Sequence, residues 1–240
     1  MDKLAFKQGF YSGSGIITKR VISHKGDIFL NLFLKGHGII WVIAPGSAKG
    51  KVRFGGSLEP STWGIFTLYK GATNFYLKAV EVKADSWALR HRPGALRTYF
   101  SILKLINSNL PQGHPDDEVL AHLFWTRDLL IRDCPREVVE WRFLWRWLKS
   151  WGLAPEVDIC QSCGCGVSQG YISSEGFLCS SCLSGEGKNS IPPINLHVLK
   201  KAAMLSRGSF QEFCMELNDT QIAGFRGATI MLRDILCKQS

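Results

Sequence analysis

Four cysteines carry the most explicit chemistry in this chain. Cys160-x2-Cys163 and Cys179-x2-Cys182 form two couples separated by fifteen residues. Each couple can place two thiolates on one tight turn, and two such turns make a tetrahedral S4 cage for Zn²⁺. Four protein sulfurs leave no coordination position for water, so the site is expected to be a structural clip. Redox work by a Cys-x-x-Cys pair would want one couple at a helix start in a βαβ setting, which is absent here. Cys165 sits close enough in sequence to compete for a ligand position. The x2 spacing closes the better chelate turn, which leaves Cys165 as a spare thiol. Cys134, Cys214 and Cys237 are scattered, and a reducing cytoplasm is the expected compartment.

A second chemical feature lies about a hundred residues upstream. Pro45-Gly-Ser-Ala-Lys-Gly-Lys-Val-Arg-Phe-Gly-Gly56 puts Lys49, Lys51 and Arg53 at alternating positions among glycines. An extended backbone would turn the three cations to one side, and the glycines would let a phosphate approach closely. The loop falls short of a nucleotide-binding P-loop. Gly46 to Gly50 is one residue too short, and Val52 stands where Ser or Thr would bind Mg²⁺. Contact with a phosphate backbone, without chemistry, fits better.

The charge is concentrated around that loop. Of a formal net charge of +9, residues 1–83 hold +8, from twelve Lys/Arg against Asp2, Asp27, Glu59 and Glu81. A field confined to one small region points to a polyanion, most often nucleic acid. No Gly-x-Ser-x-Gly elbow and no His-Glu-x-x-His helix occurs, the six histidines are dispersed, and no catalytic residue is expected. The protein is read as a non-enzyme.

These features must be held by folded elements, and 240 residues are enough for two domains. From Ser14 to Lys83 the text is strand-like. Ile16–Ile22, Ile28–Leu34, Ile39–Ala44, Thr62–Tyr69 and Phe75–Val82 are β-branched or aromatic runs punctuated by glycine turns. Five short strands with no long helix between them argue for a small antiparallel barrel, an OB-fold first and an SH3-like barrel second. Its aromatics (Phe29, Phe33, Trp41, Trp63, Phe66, Tyr69) are expected mainly in the core, with one or two facing out to stack bases.

After about Asp85 the period becomes helical. Helices are expected between Pro93 and Pro111, from Pro115-Asp-Asp-Glu118, from about Pro135 to Gly152, over Leu196–Ser206 and Phe210–Leu217, and from about Gln221 to Cys237. In the third of these, Val138, Trp141, Leu144, Trp145, Leu148 and Trp151 form an apolar stripe. Arg142, Arg146 and Lys149 line an adjoining face, a weaker candidate for docking an acidic, hydrophobic peptide. The reading is thus an α+β protein. Residues 1–84 form a basic OB-fold for nucleic acid, and 85–240 an all-helical domain with a four-cysteine zinc element inserted at about 156–187. The longest apolar run, Ile39–Ala44, is far too short to span a membrane.

Three segments of this chain resemble the RecO family of bacterial recombination mediators. Gly46-Ser-Ala-Lys-Gly-Lys-Val-Arg-Phe-Gly-Gly-Ser-Leu-Glu-Pro60 is similar to the family's basic stretch after the third barrel strand. Leu148-Lys-Ser-Trp-Gly-Leu-Ala-Pro-Glu-Val-Asp-Ile-Cys-Gln-Ser-Cys-Gly164 is similar to its lead-in to the first cysteine couple, and Tyr171–Cys182 to the run that closes its zinc site. Glu59 and Ser61 depart from the residues usual around Pro60, and so does the His24-Lys-Gly-Asp27 turn. The resemblance implies a protein that binds single- and double-stranded DNA and anneals complementary strands. With RecR it would help load RecA onto DNA coated by single-stranded-DNA-binding protein. It implies Lys19, Arg20, Lys35, Lys49, Lys51 and Arg53 for DNA, and Arg142, Arg146 and Lys149 for that protein's acidic C-terminal tail. Cysteines 160, 163, 179 and 182 would hold structural zinc. The alternative is a zinc-ribbon module associated with RNA or transcription, using the same barrel.

Overall fold

β-Branched runs broken by glycine turns fold here as strands. The computed structural model describes residues 6–48, 54–183 and 193–238. The strands are β1 (Gly9–Ile22), β2 (Ile28–Leu34), β3 (Gly38–Ala44), β4 (Trp63–Lys70) and β5 (Phe75–Ala84). They close into a barrel in the order β1-β2-β3-β5-β4, with only β3 and β5 parallel. This is OB-fold topology, and it decides between the two barrels open from sequence.

β1 is long because it serves two partners. Its first half pairs with β4 and its second half with β2, and Gly15 and Ile16 pair with both. At that crossing the chains approach so closely that a Cβ on Gly15 would collide with the Phe33 carbonyl. The first half, Gly9-Phe-Tyr-Ser-Gly-Ser14, lies outside the strand read from sequence, since Ser and Gly dilute the strand signal of Phe10 and Tyr11. Ile17, Leu30, Leu32, Val42, Phe66, Leu68 and Leu77 fill the interior.

Helix α1 (Pro93–Asn109) docks on the barrel through polar groups as well as apolar ones. The Asn107 Oδ1 accepts from the Thr18 hydroxyl (2.9 Å) and from Asn31 Nδ2 (2.8 Å), while Trp63 Nε1 donates to the Tyr99 hydroxyl (3.1 Å). Sealed in this way, the first compact unit runs to Ala121, whereas the strands end at Ala84, where the period changes.

The division falls inside α2 (Asp117–Ile131), and the second unit is residues 122–240. Here α3 (Arg136–Ser150) packs against α6 (Asp219–Cys237), with α4 (Leu196–Met204) and α5 (Arg207–Met215) alongside. The tryptophan stripe is core: Trp141 packs against Phe177 and Phe225, and Trp145 Nε1 donates to the Pro155 carbonyl. Arg226 and Arg233 of α6 clamp Glu137 and Glu140 of α3. Between α3 and α4 lies a small sheet in the order β7-β6-β8, from β6 (Gln169–Ile172), β7 (Phe177–Leu178) and β8 (Ile194–Asn195). β8 runs straight into α4, whose N-cap is Asn195. The cysteine element is therefore an insertion within the helical unit, as the sequence suggested.

Candidate metal centre and nucleic-acid surface

The two cysteine couples meet because two tight turns are stitched together by backbone hydrogen bonds. In the first, Cys160 N–H donates to the Cys165 carbonyl (2.8 Å) and Gly164 N–H to the Cys160 carbonyl (2.9 Å). Gly164 takes φ +71°, the left-handed conformation that glycine adopts without strain. In the second, Cys182 N–H donates to the Cys179 carbonyl (3.2 Å). Gln161 N–H then reaches the Phe177 carbonyl (2.8 Å), and Cys179 N–H donates to Cys160 Sγ (3.3 Å).

The sulfurs of Cys160, Cys163, Cys179 and Cys182 all lie within 4.8 Å of one another. Metal–sulfur bonds of about 2.3 Å give a tetrahedron with edges of about 3.8 Å, and Cys163 and Cys179 are 3.8 Å apart. The N–H of Cys179 first, and that of Cys163 next, pull the Cys160 thiol down to about 6. That favours the thiolate, the form that binds metal. Cys165 and Cys182 are both pushed up to about 12, chiefly by hydrogen bonding to Cys163, so titration does not separate ligand from bystander. Sulfur geometry does, and the four cysteines fit a metal ion.

The cations read from sequence divide into three groups. Lys49, Lys51 and Arg53 lie outside the described residues. Lys19 is exposed on β1 opposite Asn31, and beside it Arg20 pairs with Glu59 (2.9 Å). Lys35 is exposed just past β2, four residues beyond Asn31 and so about 14 Å further along the strand. The structure thus brings Lys19 and Arg20 together but not Lys35. The start of the basic loop is fixed to the β1–β2 hairpin: Gly46 N–H donates to Asp27 Oδ1 (2.7 Å) and Ala48 N–H to the Gly26 carbonyl (3.0 Å).

Of the barrel aromatics, Phe33, Trp63 and Phe66 are core, while Trp41 faces out at 39 % exposure and Phe29 and Tyr69 are half-buried. Tyr69 lies 5.2 Å from the ring of its cross-strand partner Phe10, which is 70 % exposed, and Lys78 Nζ sits 5.4 Å over it. Phe10 escaped the sequence reading because it lies in the unmarked half of β1. Arg90, Arg92, Arg97 and Lys104 also escaped it, against Asp85 alone in residues 84–104. They follow the point where the strand pattern stops, although their density in so short a stretch was visible.

In the helical unit Arg142 is only 6 % exposed, so it does not belong to a surface face. Its guanidinium donates to the Ala202 carbonyl (2.6 Å) and the Leu205 carbonyl (2.7 Å) at the end of α4. Burial pulls it down to about 10. Arg146 donates to the Ala203 and Leu205 carbonyls (both 3.0 Å). Lys149 is exposed, with Nζ 5.0 Å over the Trp145 ring. Among the described residues no helix is long and apolar enough to cross a membrane.

Residues 96–224 match the family model described as Recombination protein O C terminal. The chain is 26 % identical to the DNA repair protein RecO of Rubrobacter xylanophilus, over 81 % of each chain. It is 27 % identical to that of Anaeromyxobacter sp., over 72 % of this chain and 70 % of the relative. It is 22 % identical to that of Bacillus pumilus, over 80 % and 74 %. With more than half of its length matched by the family model, and with a closed barrel ahead of a helical unit that carries the four-cysteine insertion, the chain belongs to the Recombination protein O family.

Proposed function

We propose that this protein is a DNA-binding recombination mediator of recombinational repair. It binds single- and double-stranded DNA, anneals complementary strands and, with RecR, helps RecA load onto DNA coated by single-stranded-DNA-binding protein. The observation that carries the reading is a +8 charge on the first 83 residues of a chain of this family, five strands of which form an OB barrel. Two strands repel until their phosphates are neutralised, and a basic barrel with outward aromatics supplies cations and stacking faces without bond chemistry. Residues 1–84 are the nucleic-acid-binding part in this reading, and 85–240 the helical part.

Lys19, Arg20, Lys35, Lys49, Lys51 and Arg53 contact phosphates, and Tyr69 beside Phe10 offers a face for bases. Zn²⁺, held by cysteines 160, 163, 179 and 182, folds the insertion and takes no part in binding chemistry. Arg146 and Lys149 are the candidates for an acidic tail on single-stranded-DNA-binding protein, with Arg142 supporting them from beneath. The setting is the bacterial cytoplasm, on the nucleoid.

Annealing of complementary oligonucleotides in the absence of any nucleotide tests the reading. The expected result is acceleration that needs no ATP and fades with salt. A requirement for ATP hydrolysis would overturn a passive mediator. A preference for RNA over DNA of about tenfold or more would favour the RNA-associated alternative.

A further inference from the structure

Beside the outward face of the barrel the first unit holds a cavity of about 590 Å³, within the range of about 300–1,000 Å³ typical of ligand sites. Its walls include Pro60 and Ser61, Ser86 and Trp87 of the segment after β5, and Leu96 and Phe100 of α1. Three features set it apart from a packing defect. Trp87 stands 67 % exposed with the Arg90 guanidinium 4.4 Å over its ring, and Phe100 is partly open on the opposite element. Ser86 is 5 % exposed, and its buried hydroxyl has no hydrogen-bond partner. It occupies the N-cap position of the Trp87–His91 turn without a side-chain cap; the Leu89 N–H goes to its carbonyl (2.9 Å), and Asp85 Oδ1 takes the Trp87 N–H (2.9 Å). Ser61 holds φ +79°, strained for a residue with a side chain, and its N–H is tied to the Ile17 carbonyl (2.8 Å). Buried orphan hydroxyls and left-handed non-glycine residues cost free energy, and such strain clusters at functional sites.

We propose that this cavity receives an unstacked base of a single strand of DNA, an inference that rests on the barrel being a DNA-binding surface. A base is flat and aromatic with one polar edge. The cavity offers indole and phenyl walls and a cation stacked on the indole. Stacking on an indole suits any of the four bases, in keeping with binding that ignores sequence. The net charge of the surrounding region favours a polyanion.

The test compares an oligothymidylate with an abasic oligomer of the same length by fluorescence anisotropy. Trp87→Ala should weaken oligothymidylate binding about five- to 150-fold, the equivalent of about 1–3 kcal/mol for one stacked base. The abasic strand should be bound as before, and Trp87→Phe should restore most of the loss. Equal weakening of both strands by Trp87→Ala, or no change for either, would overturn the proposal. The second outcome is the one expected of a cavity for an apolar peptide side chain. Failure of the unaltered protein to bind either strand would overturn the DNA-binding reading itself.

Discussion

Cys163 has two sulfur neighbours that pull the ligand assignment in different directions. Cys165 Sγ is 3.3 Å away and Cys179 Sγ is 3.8 Å away. The sulfurs that gather within 4.8 Å of one another are those of Cys160, Cys163, Cys179 and Cys182, and Cys165 is not in that set. Cys165 also gives its carbonyl to the Cys160 N–H, which places it on the return of the first turn. Cys160→Ser is therefore expected to lower zinc content and to cost about 3 kcal/mol or more, a fall in Tm of about 6–12 °C for a chain of this size. Cys165→Ser should keep both metal and Tm. Metal analysis alongside a thermal melt reads the result, and equal losses in the two variants would mean that Cys165 is a ligand. The four-cysteine spacing was legible because chelate turns are local. Asn107 was not: its partners Thr18 and Asn31 lie 89 and 76 residues away, and a lone amide on a helix carries no signature of what it will meet.

At the scale of elements, the end of α4 explains why a charged stripe can mislead. A helix leaves its last carbonyls without partners, and cations there also meet the negative end of the helix dipole. Arg142 and Arg146, one turn apart on α3, supply donors to Ala202, Ala203 and Leu205. Sequence period placed these arginines correctly on a common face beside the tryptophans. It was silent on which element would cover that face, because α4 arrives after the whole cysteine insertion. Arg142→Met keeps the bulk but strips the donors from buried carbonyls and the cation from the Phe210 ring, 4.4 Å away. It should cost about 2–4 kcal/mol, read as a lower urea midpoint at unchanged m-value. Lys149→Ala, on the exposed end of the same face, should stay within about 0.5 kcal/mol of the parent. A large loss at Lys149 would sink the distinction between the buried and the available cation. The barrel shows the converse. Its strands were legible from β-branched runs between glycine turns, yet the extension of β1 to Gly9 depends on pairing with β4 and leaves no local mark.

Over the whole molecule, the segregation of charge makes a quantitative demand on binding. With +8 on residues 1–83, affinity for nucleic acid should be dominated by displaced counterions. Six phosphate contacts, one for each of Lys19, Arg20, Lys35, Lys49, Lys51 and Arg53, imply a slope of about −4 in log K against log salt for a single strand. That slope predicts a loss of affinity on the order of 300-fold between 50 and 200 mM salt. Arg20 is already paired with Glu59, so its contact requires that partly exposed ion pair to exchange, and the measured slope should fall slightly short of the full value. Replacing Lys49, Lys51 and Arg53 together by alanine should reduce the magnitude of the slope by about 2 while leaving Tm unchanged. Anisotropy titrations of a labelled single strand across a salt series measure this directly. A variant with the parental slope would remove the loop from the binding surface and shift the role of phosphate anchor to the exposed arginines after β5.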